Sequence, residues 1–424
     1  MLVYYIVIFS MPYFRHPFWN RDFASGFTVV KIMGAVCLLY SLIYLARRHA
    51  VPRFFATPQS KWMILFLGIC AFSFATKGQK SASDFINPIY MYFSSFVFFF
   101  ITMIVIDSIK RLYWSMMAAI GSVGFASLYM LQEWRKGTAV WGAGYRPGWI
   151  VGDSNYFSVA ALAVLPIAFE LALVSPRRWE KVYATGCGLI TFAAITLGAS
   201  RGGFLGILLI VVYLILRSER PMRNLARVLI VTIPFLLFAP NSPLHRLFNP
   251  AKGDTQSVQT HIAGWQAGMN MVKKNPLTGV GLGNYKLVVV RYDTTGTVRL
   301  DPHVAHNAYL EVAAEMGIPA FVVYMCFFVS AFLSLGKTRK RARAMDSNLL
   351  AAIALGMQAG LLGVWVGIFF VSGEYTRLFW FLLCMSMCMP ALIPSRSKAK
   401  KALKQEWEQP EPAFQTGEAL VALG

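Results

Sequence analysis

The 424-residue chain predicts an all-α polytopic membrane protein with about 12 transmembrane helices and one large helical loop between spans 9 and 10. Three observations carry that reading. The composition is 57% hydrophobic and only 14% charged, the mean hydropathy is +0.53, and apolar runs recur along nearly the whole length. A hydrocarbon core about 30 Å thick needs roughly 20 apolar residues per helix. On that ruler spans fall near residues 1–14, 27–46, 62–76, 84–106, 111–131, 155–174, 182–199, 202–216, 225–240, 317–335, 348–372 and 375–394. The first is short, lacks a basic leading region and is followed by "RHPFWNRD" with no small-residue cleavage site, so a tilted or truncated helix is expected there, not a cleaved signal peptide.

The net charge of +21 is accounted for by topology. If both termini are cytoplasmic, the inner segments hold 23 of the 40 Lys and Arg against nine in the short outer segments. This positive-inside bias sets the orientation, and no nucleic-acid partner is needed to explain it; membrane lipids are the expected surroundings. The chain then divides into an N-terminal membrane part, 1–240, a periplasmic loop with amphipathic helices, 241–316, C-terminal spans, 317–394, and a basic then disordered cytoplasmic tail, 395–424. All six cysteines lie in predicted spans, where they read as small packing residues.

Two outer segments exceed what topology requires. Gln132 to Asn155 is dense in Gly and Trp, as an interfacial segment is. In the long loop, Ile262, Trp265, Met269 and Val272 recur at helical spacing and predict an amphipathic helix lying on the membrane or capping the domain. "NPLTGVGLGNY" follows as a helix stop and a tight glycine-rich turn; no strand precedes its G-x-G, so a dinucleotide site is not expected. Asn307 then reads as an N-cap, Glu311 and Glu315 stand one turn apart, and Gly317 and Pro319 mark a break before the next span.

Charge inside the spans is sparse, Lys31 and Glu170 being the clearest cases, which counts against an ion-coupled transporter. The unusual polar groups gather at outer ends. In "LGASRGGFLG", Arg201 is either a snorkelling anchor or a ligand for a phosphate group; Gly202 and Gly203 are expected to allow a tight reversal and a close headgroup. In "DPHVAHNAYLE", His303 and His306 with Asp301 meet the minimum set for zinc, although the chain has no H-E-x-x-H or D-x-D. A structural histidine at a helix start is the plainer alternative, and there the helix dipole disfavours imidazolium, leaving the neutral ring a general base requires. Arg146 precedes the sixth span, where Asp153 or Asn155 caps the helix. A glycosyl donor at an outer face is a lipid-linked sugar with a phosphate leaving group. It needs cations for the departing charge and one base for the acceptor hydroxyl, a division that Arg201 and His306 match.

The ordered fragments "GDSNYFSVAALAVLPIA", "TLGASRGGFLG", "GWQAGMNMVKKNPLTGVGLGNY" and "HNAYLEVAAEMGIPA", from Gly152 to Ala320, resemble the O-antigen ligase and polymerase superfamily of bacterial envelope glycosyltransferases. The resemblance implies a GT-C-like membrane fold in the inner membrane with its active site at the periplasmic face. It also implies cofactor- and metal-independent, inverting transfer of a glycan from undecaprenyl pyrophosphate to lipid A core, to another lipid-linked glycan, or to a protein hydroxyl. The family's S-R-G-G arginine corresponds to Arg201 as pyrophosphate ligand, and its H-N histidine to His306 as base with Asn307 beside it. Where the family commonly has a second arginine, four residues before the loop tryptophan, this chain has His261 before Trp265. That second contact falls to His261 if protonated, or to Arg291, Arg299 or Lys274; Arg146 and His303 complete the expected binding residues. The competing classes are a lipid-linked sugar flippase and a non-catalytic assembly scaffold.

Overall fold

The computed structural model describes residues 1–13, 28–48, 54, 57–78, 88–136, 140–141, 144–145, 154–198, 200–218, 221–223, 225–226, 229–230, 252–296, 303–374 and 376–393. The tail, most of the ninth expected span, Arg146, Asp153, Arg299 and Asp301 lie outside these residues. In chain order the helices are α1 (Leu2–Ser10), α2 (Val29–Arg48), α3 (Pro58–Lys77), α4 (Pro88–Val105), α5 (Ile109–Lys136), α6 (Ser154–Val174), α7 (Arg178–Leu197) and α8 (Arg201–Arg217). They continue as α9 (Lys252–Lys274), α10 (Tyr285–Tyr292), α11 (Ala308–Ala344), α12 (Asn348–Gly367) and α13 (Arg377–Cys388). A two-residue hairpin, β1 (Val140–Trp141) and β2 (Gly144–Tyr145), sits in the Gly- and Trp-rich segment.

Among the described residues six helices are long and apolar enough to cross a membrane, α2, α3, α5, α6, α11 and α12, and shorter apolar helices lie at 89–105 and 377–392. Helices occupy the expected segments where these are described, but six helices and not twelve meet that length and composition, and α11 runs over 308–344 where a span was expected over 317–335. The span expected over 348–372 ends as a helix at Gly367, and the residues beyond it form a connection that reaches the site. All six cysteines are free thiols. Both charges expected inside spans lie towards helix ends. Lys31 is in the first turn of α2 with its ammonium over the Tyr90 ring, and Glu170 is near the end of α6, facing Arg339 and Arg343.

The core is a seam of α12 against α6 and α8. Along α12, glycines 356, 360, 363 and 367 recur every three or four residues and face those neighbours. A Cβ at Gly360 would stand 2.5 Å from the Ala163 carbonyl oxygen, and one at Gly356 2.8 Å from the Ile167 Cα. In lipid there is no hydrophobic gain in pressing two apolar helices together, so close backbone approach over small residues supplies the attraction.

The loop has a small core of its own, made by Ala263, Ala267 and Met271 of α9, Val280, then Tyr285, Val288 and Val289 of α10, with Ala305 and Ala314. The helix expected from the apolar periodicity is present, and it carries a second apolar face. Ile262 and Met269, two of the apolar residues that defined the amphipathic face, are 47% and 48% exposed, while the buried face is the smaller Ala263, Ala267 and Met271 stripe. Helix α9 therefore has two apolar faces, and the one with small residues packs inward because it lets the backbone come close to α10 and α11.

The glycine-rich turn wraps a carboxylate of its own chain. Glu315 accepts the Gly283 N–H at 2.9 Å and the Tyr285 N–H at 3.0 Å, and Gly281 N–H donates to the Glu315 carbonyl. These are the free donors at the start of α10, and the Glu315 carboxyl group satisfies two of them. Gly279 (φ +63°) allows the approach, since a Cβ there would lie 2.2 Å from the Glu315 carbonyl carbon. The break in α11 at Gly317 (φ +88°) fits against Leu277 in the same way.

Gly279→Ala combines a left-handed residue, costing about 1–2 kcal/mol, with a backbone clash that displaces the turn. A lower melting temperature in detergent and less folded protein are expected. Gly360→Val, which overpacks the α6–α12 seam, should cost about 1–3 kcal/mol in the same measurement.

Candidate functional site

Three histidines and Arg201 meet where α8, α9 and α11 converge. Asn307 is the N-cap of α11, as its sequence context predicts: its backbone is extended and its Oδ1 accepts the Leu310 N–H at 3.0 Å. His306, immediately before it, has φ +50°, a left-handed conformation uncommon outside glycine. That conformation presents the imidazole to the ends of the neighbouring helices. The His306 and His261 rings stack with centroids 4.7 Å apart and planes 20° from parallel, and His303 stacks on His306 at 5.8 Å and 22°.

His306, the expected base, and His303, an expected binding residue, are thus parts of one stack that also takes in His261. His303 lies over a cradle on α9. Its Nε2 is 3.2 Å from the Thr260 carbonyl, and because a carbonyl only accepts, Nε2 carries the proton. Gly264 leaves room for that ring, as a Cβ there would be 3.1 Å from His303 Nε2. Parallel rings send their in-plane lone pairs along separate planes, unlike a tetrahedral ligand set. Among the described residues no group of three His, Cys, Asp or Glu is arranged to hold a metal ion.

Arg201 is the first residue of α8, exposed, with Ser200 capping the helix by accepting the Gly203 N–H at 3.2 Å. The expected tight reversal at Gly202 and Gly203 is not what these residues form. Both lie in the first helical turn, and their missing Cβ atoms serve packing: one at Gly202 would meet Phe370 at 3.2 Å, and one at Gly203 would meet Ser158 at 2.8 Å. Arg201 thereby comes close enough to act electrostatically on His261. Burial first, then the charges of His306, Arg201 and His303, lower the His261 pKa to about 4, so this ring is neutral at neutral pH. It is therefore not a second standing cation beside Arg201.

Of the other expected binding residues, Arg291 is exposed on the last turn of α10 and is not among the charges acting on His261. Lys274 stands over the Tyr292 ring at 5.3 Å.

Sequence reasoning missed the supporting residues. The Ser372 hydroxyl accepts the His306 N–H at 3.0 Å and donates to the Glu311 carboxylate, which also accepts the Ala305 N–H at 3.3 Å. Ala308 N–H donates to the Ile368 carbonyl at 3.0 Å, and Phe369 packs edge-on to Trp265 at 5.5 Å. Glu374, 1% exposed, is held well above the usual carboxylate range by burial and by Glu311. The available signal was two carboxylates in the otherwise apolar "YLEVAAEMG"; "VSGEY" offered none.

A histidine whose pKa is lowered in the folded state stabilises the fold fully above its unfolded value, about 6.5. That contribution is lost as pH falls towards 4, because only the unfolded chain takes up the proton in this window. His261→Gln should therefore flatten the decline of thermal stability between pH 6.5 and 4, read by melting curves in detergent.

Residues 186–325, which span α7 to the first half of α11 and hold Arg201, His261, His303 and His306, match the family model described as O-Antigen ligase. No curated protein matches the chain. The matched stretch is about a third of the chain and contains every member of the cation and imidazole cluster, so the part that carries the site is similar to the O-antigen ligase family.

Proposed function

We propose that the chain transfers a glycan from an undecaprenyl-pyrophosphate-linked donor to an acceptor hydroxyl at the periplasmic face of the bacterial inner membrane, as an O-antigen ligase acting on lipid A core. The family match supports glycosyltransferase activity of the ligase and polymerase type, with a lipid-linked glycan and a glycan acceptor as the general substrates. The observation that carries the finer reading is the convergence of Arg201, an exposed cation, with a stack of imidazoles at the start of a helix.

In this reading an unprotonated ring nitrogen of His306 takes the acceptor hydroxyl proton as its oxygen bonds to the anomeric carbon. Attack comes from the face opposite the pyrophosphate, so the configuration inverts. The bond from the anomeric carbon to the leaving oxygen breaks with its electron pair, and the pyrophosphate charge is met by Arg201. The leaving group needs no proton, and the one held on His306 passes to water. A positioned base supplies about 10² to 10⁴ fold and a charge-stabilising donor about 10² to 10³ fold.

His261 takes the second phosphate contact by changing its proton state. Held neutral by burial and then by His306, Arg201 and His303, it gains affinity for a proton when a dianion binds beside it, since the new negative charge favours imidazolium. Donor binding then takes up a proton.

His306→Ala and Arg201→Ala should each lower transfer from a purified undecaprenyl-linked donor by about 10² fold or more while the protein inserts normally. Near-normal transfer by either variant removes that residue from its role. Donor affinity should tighten as pH falls from 7 to 5 in the wild type and lose that slope in His261→Arg, which stays charged; a pH-independent wild type counts against His261 as the contact. Offering lipid A core, a second lipid-linked glycan and a protein hydroxyl in turn identifies the acceptor.

A further inference from the structure

His306 holds a backbone conformation that few non-glycine residues adopt (φ +50°), and something must stabilise it. Its N–H has one hydrogen bond available to that end, and it goes to a side chain from a distant part of the chain, the Ser372 hydroxyl at 3.0 Å. A hydroxyl has a single hydrogen to donate, and Ser372 gives it to Glu311. Its lone pairs are thereby left to face His306. Glu311, 4% exposed, is fixed in turn by the Ala305 N–H at 3.3 Å, from the residue just before His306. The carboxylate thus grips both sides of the strained residue, directly at Ala305 and through Ser372 at His306. The adjoining Ala308 N–H bonds to Ile368, so three successive parts of the helix start are held by the α12–α13 connection and Glu311.

We infer that Glu311 and Ser372 are positioning residues that lock the His306 backbone in its left-handed conformation and so fix the imidazole against His261 and His303 for proton transfer. Neither touches substrate. The inference rests on the proposed role of His306 as base for its catalytic half, but the locking itself is a property of the fold and is measured separately.

The locking is read by the rate at which diethyl pyrocarbonate modifies each histidine in the purified full-length protein, followed by mass spectrometry. Ser372→Ala removes the acceptor for His306 N–H and is expected to raise the His306 rate at least threefold, with a parallel fall in transfer turnover of ten- to a hundredfold at near-constant donor KM. A smaller fraction of folded enzyme would lower turnover without raising the His306 labelling rate relative to the other histidines. Ser372→Thr keeps the hydroxyl and should restore both the labelling rate and turnover, and Glu311→Gln, which retains a carbonyl acceptor for Ser372, should fall between. Unchanged His306 labelling in Ser372→Ala overturns the lock. Faster labelling with wild-type turnover overturns its catalytic consequence, and if His306→Ala is itself active in that assay, the base assignment fails with it while the labelling result stands on its own.

Discussion

The connection from Ile368 to Thr376 is the constraint on which the site depends. Helix α12 is pressed against α6 and α8 by its glycine seam, and where that seam runs out at Gly367 the chain turns across the end of the bundle. Within these few residues Ile368 holds the start of α11, Phe369 meets Trp265 of α9, Phe370 fills the space beside Gly202 of α8, and Ser372 holds His306. Helices carrying Arg201, His261 and His306 thus share one abutment. Their relative placement is set by packing against it, since the side chains themselves are exposed or only half-buried and could not hold one another.

Electrostatics follow from that placement. The half-buried imidazoles and Arg201 stand at the accessible edge, and Glu311, Glu315 and Glu374 are buried deeper, at 4%, 3% and 1% exposure. Two of these carboxylates have backbone N–H partners, and the third is kept from ionising. Burial first, then the nearby His306, Arg201 and His303, keep His261 unprotonated at neutral pH, so Arg201 is the standing cation of the cluster.

Much of this was legible in the sequence. Hydropathy located the apolar helices because a lipid environment leaves an uninterrupted apolar run few alternatives to a helix. The Asn307 cap and the Gly317 break were readable because each rests on local backbone chemistry. Arg201 and His306 stood out as polar residues in apolar surroundings, and the family fragments gave them roles. What stayed hidden was non-local. Gly202 and Gly203 suggest a turn to a local reading, yet they serve contacts with Phe370 and Ser158, more than 40 residues away in either direction. The apolar periodicity of α9 pointed to its larger residues, while the face that packs is the one with the smallest. Ser372 lies 66 residues from His306 and belongs to no motif, so only folding could pair them.

The turn closed around Glu315 bears on how the protein is made. Its donors are filled by a residue that follows them by some 30 positions, and the strained His306 waits for a hydroxyl 66 positions further on. During synthesis the loop emerges with its amides unmatched, stays incomplete until the first half of α11 follows, and gains its final hydrogen bonds only when the segment after α12 has left the ribosome. The cluster of imidazoles is therefore among the last features to take shape. A chain arrested before Ile368 would carry Arg201, His261 and His306 without the contacts that hold them in place.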